Sequence, residues 1–189
     1  MIAFFLRGYN DTDHIVPVVW RMMQDGKEVR VICLAPDLDL EGDYRIKFLR
    51  AQDVSVTCAY DDPILVHGVY RRVLWAVTRA AFAYSRRWTA GGRMFRARVA
   101  RGCGRRTFQV LKAISFGRRD LDRYLCQHGF AVLCFDWVRP SENIVAQLLA
   151  AAVRSNRPTV SLPHGVFLCT NEDIAWNRDP ANSIGWRNA

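Results

Sequence analysis

Short apolar runs alternate with amphipathic stretches along most of this chain, and that alternation restricts the fold more than any single residue does. Ile2 to Leu6 is a continuous apolar run of the kind a strand buried on both faces requires. His14 to Gln24 has helical spacing, with Ile15, Val18, Val19 and Met22 on one side. Pro17 fits that helix only in its first turn, where a missing N–H costs little. Asp25-Gly26 closes it; Glu28 to Leu34 reads as a second strand, Tyr44 to Ala51 as a short helix and Val54 to Ala59 as a third strand. Further on, Asp120 to His128 is helical and stops at Gly129, and Ala131 to Phe135 is a strand. Ser141 is placed to cap a helix over Asn143 to Arg154, and Thr159 to Leu162 is a last strand. The repeated order predicts an α/β fold, a Rossmann-like parallel sheet with helices on both faces.

One long segment stands apart. From Pro63 to Arg119 there are 13 Arg, one Lys and no Asp or Glu, a charge of +14. The whole chain carries +9, so the remaining residues hold 13 basic and 18 acidic groups, a net −5. The segment reads as a basic helical insert. Val66, Val69, Val73, Val77, Ala80, Tyr84 and Trp88 recur at helical steps, with Arg72, Arg79 and Arg86 as a separate cationic stripe. Gly91-Gly92 interrupts the pattern and Arg93 to Ala100 resumes it. The reading is of one domain over residues 1–169, containing the insert over 63–119, and an irregular tail over 170–189.

At 189 residues and 50% apolar, the composition fits one buried core and disfavours disorder. The apolar start breaks at Arg7, unlike a secretory signal, and no uncharged run is long enough to span a membrane. The six cysteines form no C-x-x-C pair; Cys33, Cys58 and Cys134 sit inside strand-like runs and read as buried thiols. A reducing cytoplasm is the expected setting. No metal-ligand spacing, G-x-G-x-x-G or P-loop is present, so no cofactor is implied.

Ligands of open α/β sheets gather beyond the carboxyl ends of the strands. Three polar loops qualify: Gly8 to His14, Asp136 to Glu142, and Pro163 to Val166. His164, followed by Gly165, is suited to taking a proton from a hydroxyl near neutral pH, or is a loop histidine bonded to a backbone carbonyl. Asp11 and Asp13 can orient an acceptor or cap a turn and helix. His14 can bind substrate from a helix N-terminus or simply lie on the surface, and Asp136 can orient His164 or a substrate hydroxyl, or cap a turn. His67 and His128 read as structural.

FFLRGYNDTDHIVPVVW near the start and SLPHG near the end resemble the N-terminal domain of GT-B-fold glycosyltransferase-like enzymes, of the bacterial surface-polysaccharide and CDP-glycerol glycerophosphotransferase type. The resemblance spans the chain as one half of that fold. It implies that His164 is the catalytic base in an interdomain cleft, with Gly165 beside it, and that the loop after the first strand places Gly8, Asn10, Asp11 and His14 near the acceptor. Asp11 is then the second candidate catalytic group, and Gly8, Asn10, His14, Asp136 and Gly165 are the candidate substrate-binding residues. The resemblance also implies a nucleotide-activated donor held by a second Rossmann-like domain, for which this sequence has no room. The isolated chain is then expected to be inactive.

The insert has three readings. Its Arg72, Arg79 and Arg86, interleaved with Trp75 and Trp88, suit an anionic membrane surface carrying a lipid-linked or glycan acceptor, on the inner face of the cell membrane. Nucleic acid would also be held by such charge, but no recognition motif accompanies it. A solvated helix pair with aromatic core residues is the third. The different-class alternative to a transferase is a non-catalytic Rossmann-like module that binds an anionic membrane, nucleic acid or protein partner through the insert.

Overall fold

The computed structural model describes residues 1–89, 94–113, 117–136 and 143–162. Five parallel strands, β1 (Ile2–Leu6), β2 (Val29–Cys33), β3 (Ser55–Cys58), β4 (Val132–Asp136) and β5 (Thr159–Leu162), form one sheet in the order β3-β2-β1-β4-β5. Ile2 pairs with Val29 on one side and with Val132 on the other, so the first strand is central. Helices α1 (Tyr9–Gln24), α2 (Tyr44–Ala51), α3 (Val69–Thr89), α4 (Met94–Ala113), α5 (Arg118–Gln127) and α6 (Asn143–Arg154) connect the strands. This is the expected α/β, Rossmann-like arrangement.

Alternate side chains of the central strands feed two cores. Phe4 and Leu6 pack with Ile15, Val16 and Val19 of α1 and Ile46 and Leu49 of α2. Ala3 and Phe5 pack on the other face with Phe108 and Leu111 of α4, Leu121 and Leu125 of α5, and Val145 and Leu148 of α6. Phe5 stacks on Phe135 across the β1–β4 pair, their centroids 4.9 Å apart. Burial on both faces explains why these strands read as unbroken apolar runs.

Local signals set most of the boundaries. Asp43 caps α2 by accepting from the Arg45 and Ile46 backbone N–H groups at 2.9 and 3.4 Å. Gly129 follows α5 with φ +63°, and its N–H reaches the Cys126 carbonyl at 3.0 Å. The expected start of the first helix is corrected. It begins at Tyr9, with Gly8 as N-cap, so most of the supposed loop is helical. Pro17 therefore lies in mid-helix rather than in the first turn, where it denies a donor to the Asp13 carbonyl. It stands on the exposed side of α1, away from the core.

The insert is an antiparallel helical hairpin, and α4 runs well past the expected Ala100. Its helices meet along small and hydroxylic residues. Thr78 and Thr107 hydroxyls are 2.9 Å apart, Ser85 Oγ bonds the Phe82 carbonyl at 2.8 Å, and a Cβ at Gly104 would come within 3.1 Å of the Phe82 ring. Trp75 and Phe82 are buried with Thr78 and Ser85 on the inner face of α3. The apolar row that dominates the sequence of this helix lies opposite, exposed at Val69, Val73, Val77 and Tyr84. No described helix is long and apolar enough to cross a membrane.

Candidate functional site

Because all five strands are parallel, the carboxyl ends of β1, β2, β4 and β5 lie along one edge, with the strand order reversing between β1 and β4. That reversal opens the crevice in which ligands of such sheets bind. Here the helical hairpin overhangs it. Arg7, Ala35, Asp37, Phe82, Arg105, Phe108, Lys112 and Ile144 enclose a cavity of about 240 Å3. A second, of about 320 Å3, adjoins it through the shared Asp37, Phe82 and Arg105, and adds Asp39, Ser85, Arg86 and Arg101. The crevice is thus basic on its hairpin wall and carries carboxylates on its β2 wall. Such a lining suits a ligand bearing both phosphate or carboxylate groups and hydroxyls.

Arg101, Arg105 and Lys112 stand four and seven residues apart, which puts them on one flank of α4. That spacing was the available signal for them. It was hidden among the many other arginines of the insert.

The β1–α1 corner is built by two neighbours in sequence. The Asp11 carboxylate accepts the Arg7 backbone N–H at 2.6 Å and its Nε at 3.2 Å. A carboxylate in the first turn also complements the helix dipole. Of the roles open to Asp11, the geometry fits the helix-terminus one, since the residue is only 5% exposed. Asp13, two residues further on, is exposed and ion-paired with Arg45, which links α1 to α2. Arg45 also grips Asp43 at 2.6 Å and holds that carboxyl below its ordinary range.

Gly8 and Asn10 lie at the start of α1, directly beyond β1, and His14 lies a turn further along the helix and is exposed. Asp136 ends β4 at the strand-order reversal and is fully buried. His164 and Gly165 lie outside the described residues.

Two members of the cationic stripe are engaged with acids of the domain. Arg79 pairs with Asp61 at 2.8 Å and Arg86 with Asp39 at 2.7 Å, so these two clip the hairpin to the loops beyond β3 and β2. Trp75 is corrected from a surface contact to a core residue: it is 8% exposed and its Nε1 donates to Asp61 at 2.8 Å. Arg72 is exposed beside a cavity shared with Asp61 and Asp62, and the Trp88 side chain lies outside what is described.

The chain matches no protein-family profile, no curated protein and no solved structure. Chemistry must therefore be read from the crevice itself.

Thiol nucleophiles are disfavoured there. Cys33 and Cys58 close β2 and β3, but burial raises both thiols, Cys58 to about 12, so neither is a thiolate at neutral pH. His128 serves the core, as expected. Its ring stacks on Phe130, its Nε2 lies 2.6 Å from Asp62, and its Nδ1 lies 3.0 Å from an Arg30 guanidinium nitrogen. Arginine can only donate, so this pairing requires Nδ1 to be the acceptor and places the ring proton on Nε2.

Proposed function

We propose that this chain is the acceptor-side domain of a GT-B-like glycosyltransferase or glycerophosphotransferase of cell-surface polysaccharide synthesis. The observation that carries the reading is the basic crevice at the β1–β4 reversal, roofed by the hairpin and lined by Arg7, Arg105 and Lys112. An acceptor bearing hydroxyls and anionic groups would lie in it. His164, two residues beyond the end of β5, would take the proton from the attacking hydroxyl. The acceptor oxygen then bonds to the transferred carbon or phosphorus, and the bond to the donor's nucleotide phosphate breaks. A C-terminal domain would hold the donor and stabilise that departing phosphate. The reaction belongs on the cytoplasmic side, where nucleotide-activated donors are made.

The test uses the protein expressed from the reading frame continued past Ala189. Transfer from nucleotide-activated glycerol or sugar donors to an isolated membrane acceptor fraction should be abolished by His164→Ala. The circular dichroism spectrum should not change. Near-normal turnover in the variant removes His164 as the base. A continued frame without a second Rossmann-like half, together with no transfer, supports the rival reading of a non-catalytic module that binds through the hairpin.

A further inference from the structure

The hairpin has one wall that the crevice does not use. At the angular spacing of an α-helix, Val69, Val73, Val77, Ala80 and Tyr84 form one face of α3, opposite the buried Trp75 and Phe82. Among the described residues this face is exposed, Val69 to 80% and Val73, Val77 and Tyr84 with it. On α4, the flank carrying Arg101, Arg105 and Lys112 lines the crevice. The other flank, with Phe95, Val99 and Val110, is exposed too, Phe95 to 79%. The Thr78–Thr107 hydrogen bond sets the antiparallel register. It brings Val73 level with the Val110 turn and Tyr84 level with the Val99 turn. Two apolar rows therefore run side by side along helices of 21 and 20 residues, each about 30 Å long. Exposed apolar surface this continuous marks an interaction site rather than the scattered apolar residues of an ordinary surface.

We infer that this outer face of the α3–α4 hairpin docks on an anionic phospholipid bilayer, lying flat in the interface. The charge decides the occupant. Arg87 lies within the apolar sector of α3, Arg106 lies within that of α4, Arg98 flanks it, and all three are exposed. No Asp or Glu occurs anywhere from residue 63 to 119. A second copy stacked on this face would oppose arginines with arginines and offer no carboxylate to receive them. A bilayer of acidic lipid supplies both what the apolar rows need and what the guanidinium groups need. Tyr84 and Tyr70, exposed on the same helix, are amphipathic side chains suited to headgroup depth. The surface differs from the Arg72, Arg79 and Arg86 stripe, two of whose members are bonded to acids of the domain. The inference does not depend on the transferase reading, since it concerns the opposite wall of the hairpin.

The experiment is flotation of the 189-residue chain with phosphatidylcholine vesicles, with and without phosphatidylglycerol, in parallel with analytical ultracentrifugation. The protein should float with the phosphatidylglycerol vesicles and not with the neutral ones. Val73→Asp with Val77→Asp, at exposed positions, should cut that binding by on the order of tenfold or more while leaving the helical signal unchanged. A second variant, Arg87→Gln with Arg98→Gln and Arg106→Gln, should bind more weakly and with a shallower salt dependence. Absence of flotation overturns the inference, as does vesicle binding that survives the two aspartates. So does a dimer that forms in the absence of lipid and dissociates on introducing them. Duplex DNA that displaces the protein from vesicles, and binds the aspartate variant unchanged, overturns it in favour of nucleic acid.

Discussion

Some polar side chains meet their partners within a few residues of sequence. Asp43 and Arg45 are an example: one carboxylate caps α2, holds a guanidinium and is buried against the helix start. The carboxyl is held below its ordinary range in the folded protein. Its contribution is therefore full at neutral pH, above the unfolded carboxylate's value, and is lost as pH falls through the lowered folded value. Asp43→Ala should destabilise by about 1 kcal/mol at neutral pH, and the gap to wild type should narrow below about pH 4. Urea unfolding across that pH range measures it; a gap independent of pH counts against the ion-paired cap. At this scale the sequence was half legible. Spacing offered Asp11 both as a cap and as a chemical group, and only the bond to the Arg7 backbone separates them. Trp75 looked like a surface aromatic because arginines surround it, whereas its indole is seated on Asp61 within the core.

Helices that cover the sheet with one apolar face announce themselves by period, which is why α2 and α6 have the ends expected of them. The hairpin departs from that rule. Its inner seam is made of Thr78, Ser85, Thr107 and Gly104, which pack because they are small and satisfy their own hydroxyls. The strongest apolar period of α3 belongs to its outer face instead, so a search for the core by hydrophobicity selects the wrong side. Two glycines of α4 test the seam. Gly102 has open space at its Cβ position, and Gly102→Ala should stabilise by up to about 1 kcal/mol through helix propensity. Gly104 faces the Phe82 ring, and Gly104→Val should cost about 1–3 kcal/mol by forcing the helices apart. Thermal unfolding of the two variants should move in opposite directions; a shared direction would mean that the helices do not meet closely at Gly104.

The molecule as a whole places residues as distant in sequence as Arg7 and Ile144 around one crevice. The strand order that does so was not legible, because five short apolar runs of similar composition carry no label for their neighbours. Yet the order determines that Arg7, from the first crossover, meets Arg105 and Lys112, from the long one. Pyrophosphate should raise the melting temperature of the chain, and Arg105→Gln with Lys112→Gln should reduce that rise severalfold. An equal rise in both proteins would put the anion elsewhere. The same topology has a consequence for synthesis. Ile2 must wait for Val132 before the central strand gains its second neighbour, and the whole hairpin lies between them. While the ribosome is still completing that stretch, β1, β2 and β3 can already pair, leaving one edge of β1 bare. An uncovered apolar edge invites pairing with other nascent chains, so the yield of native protein should depend on how quickly β4 emerges.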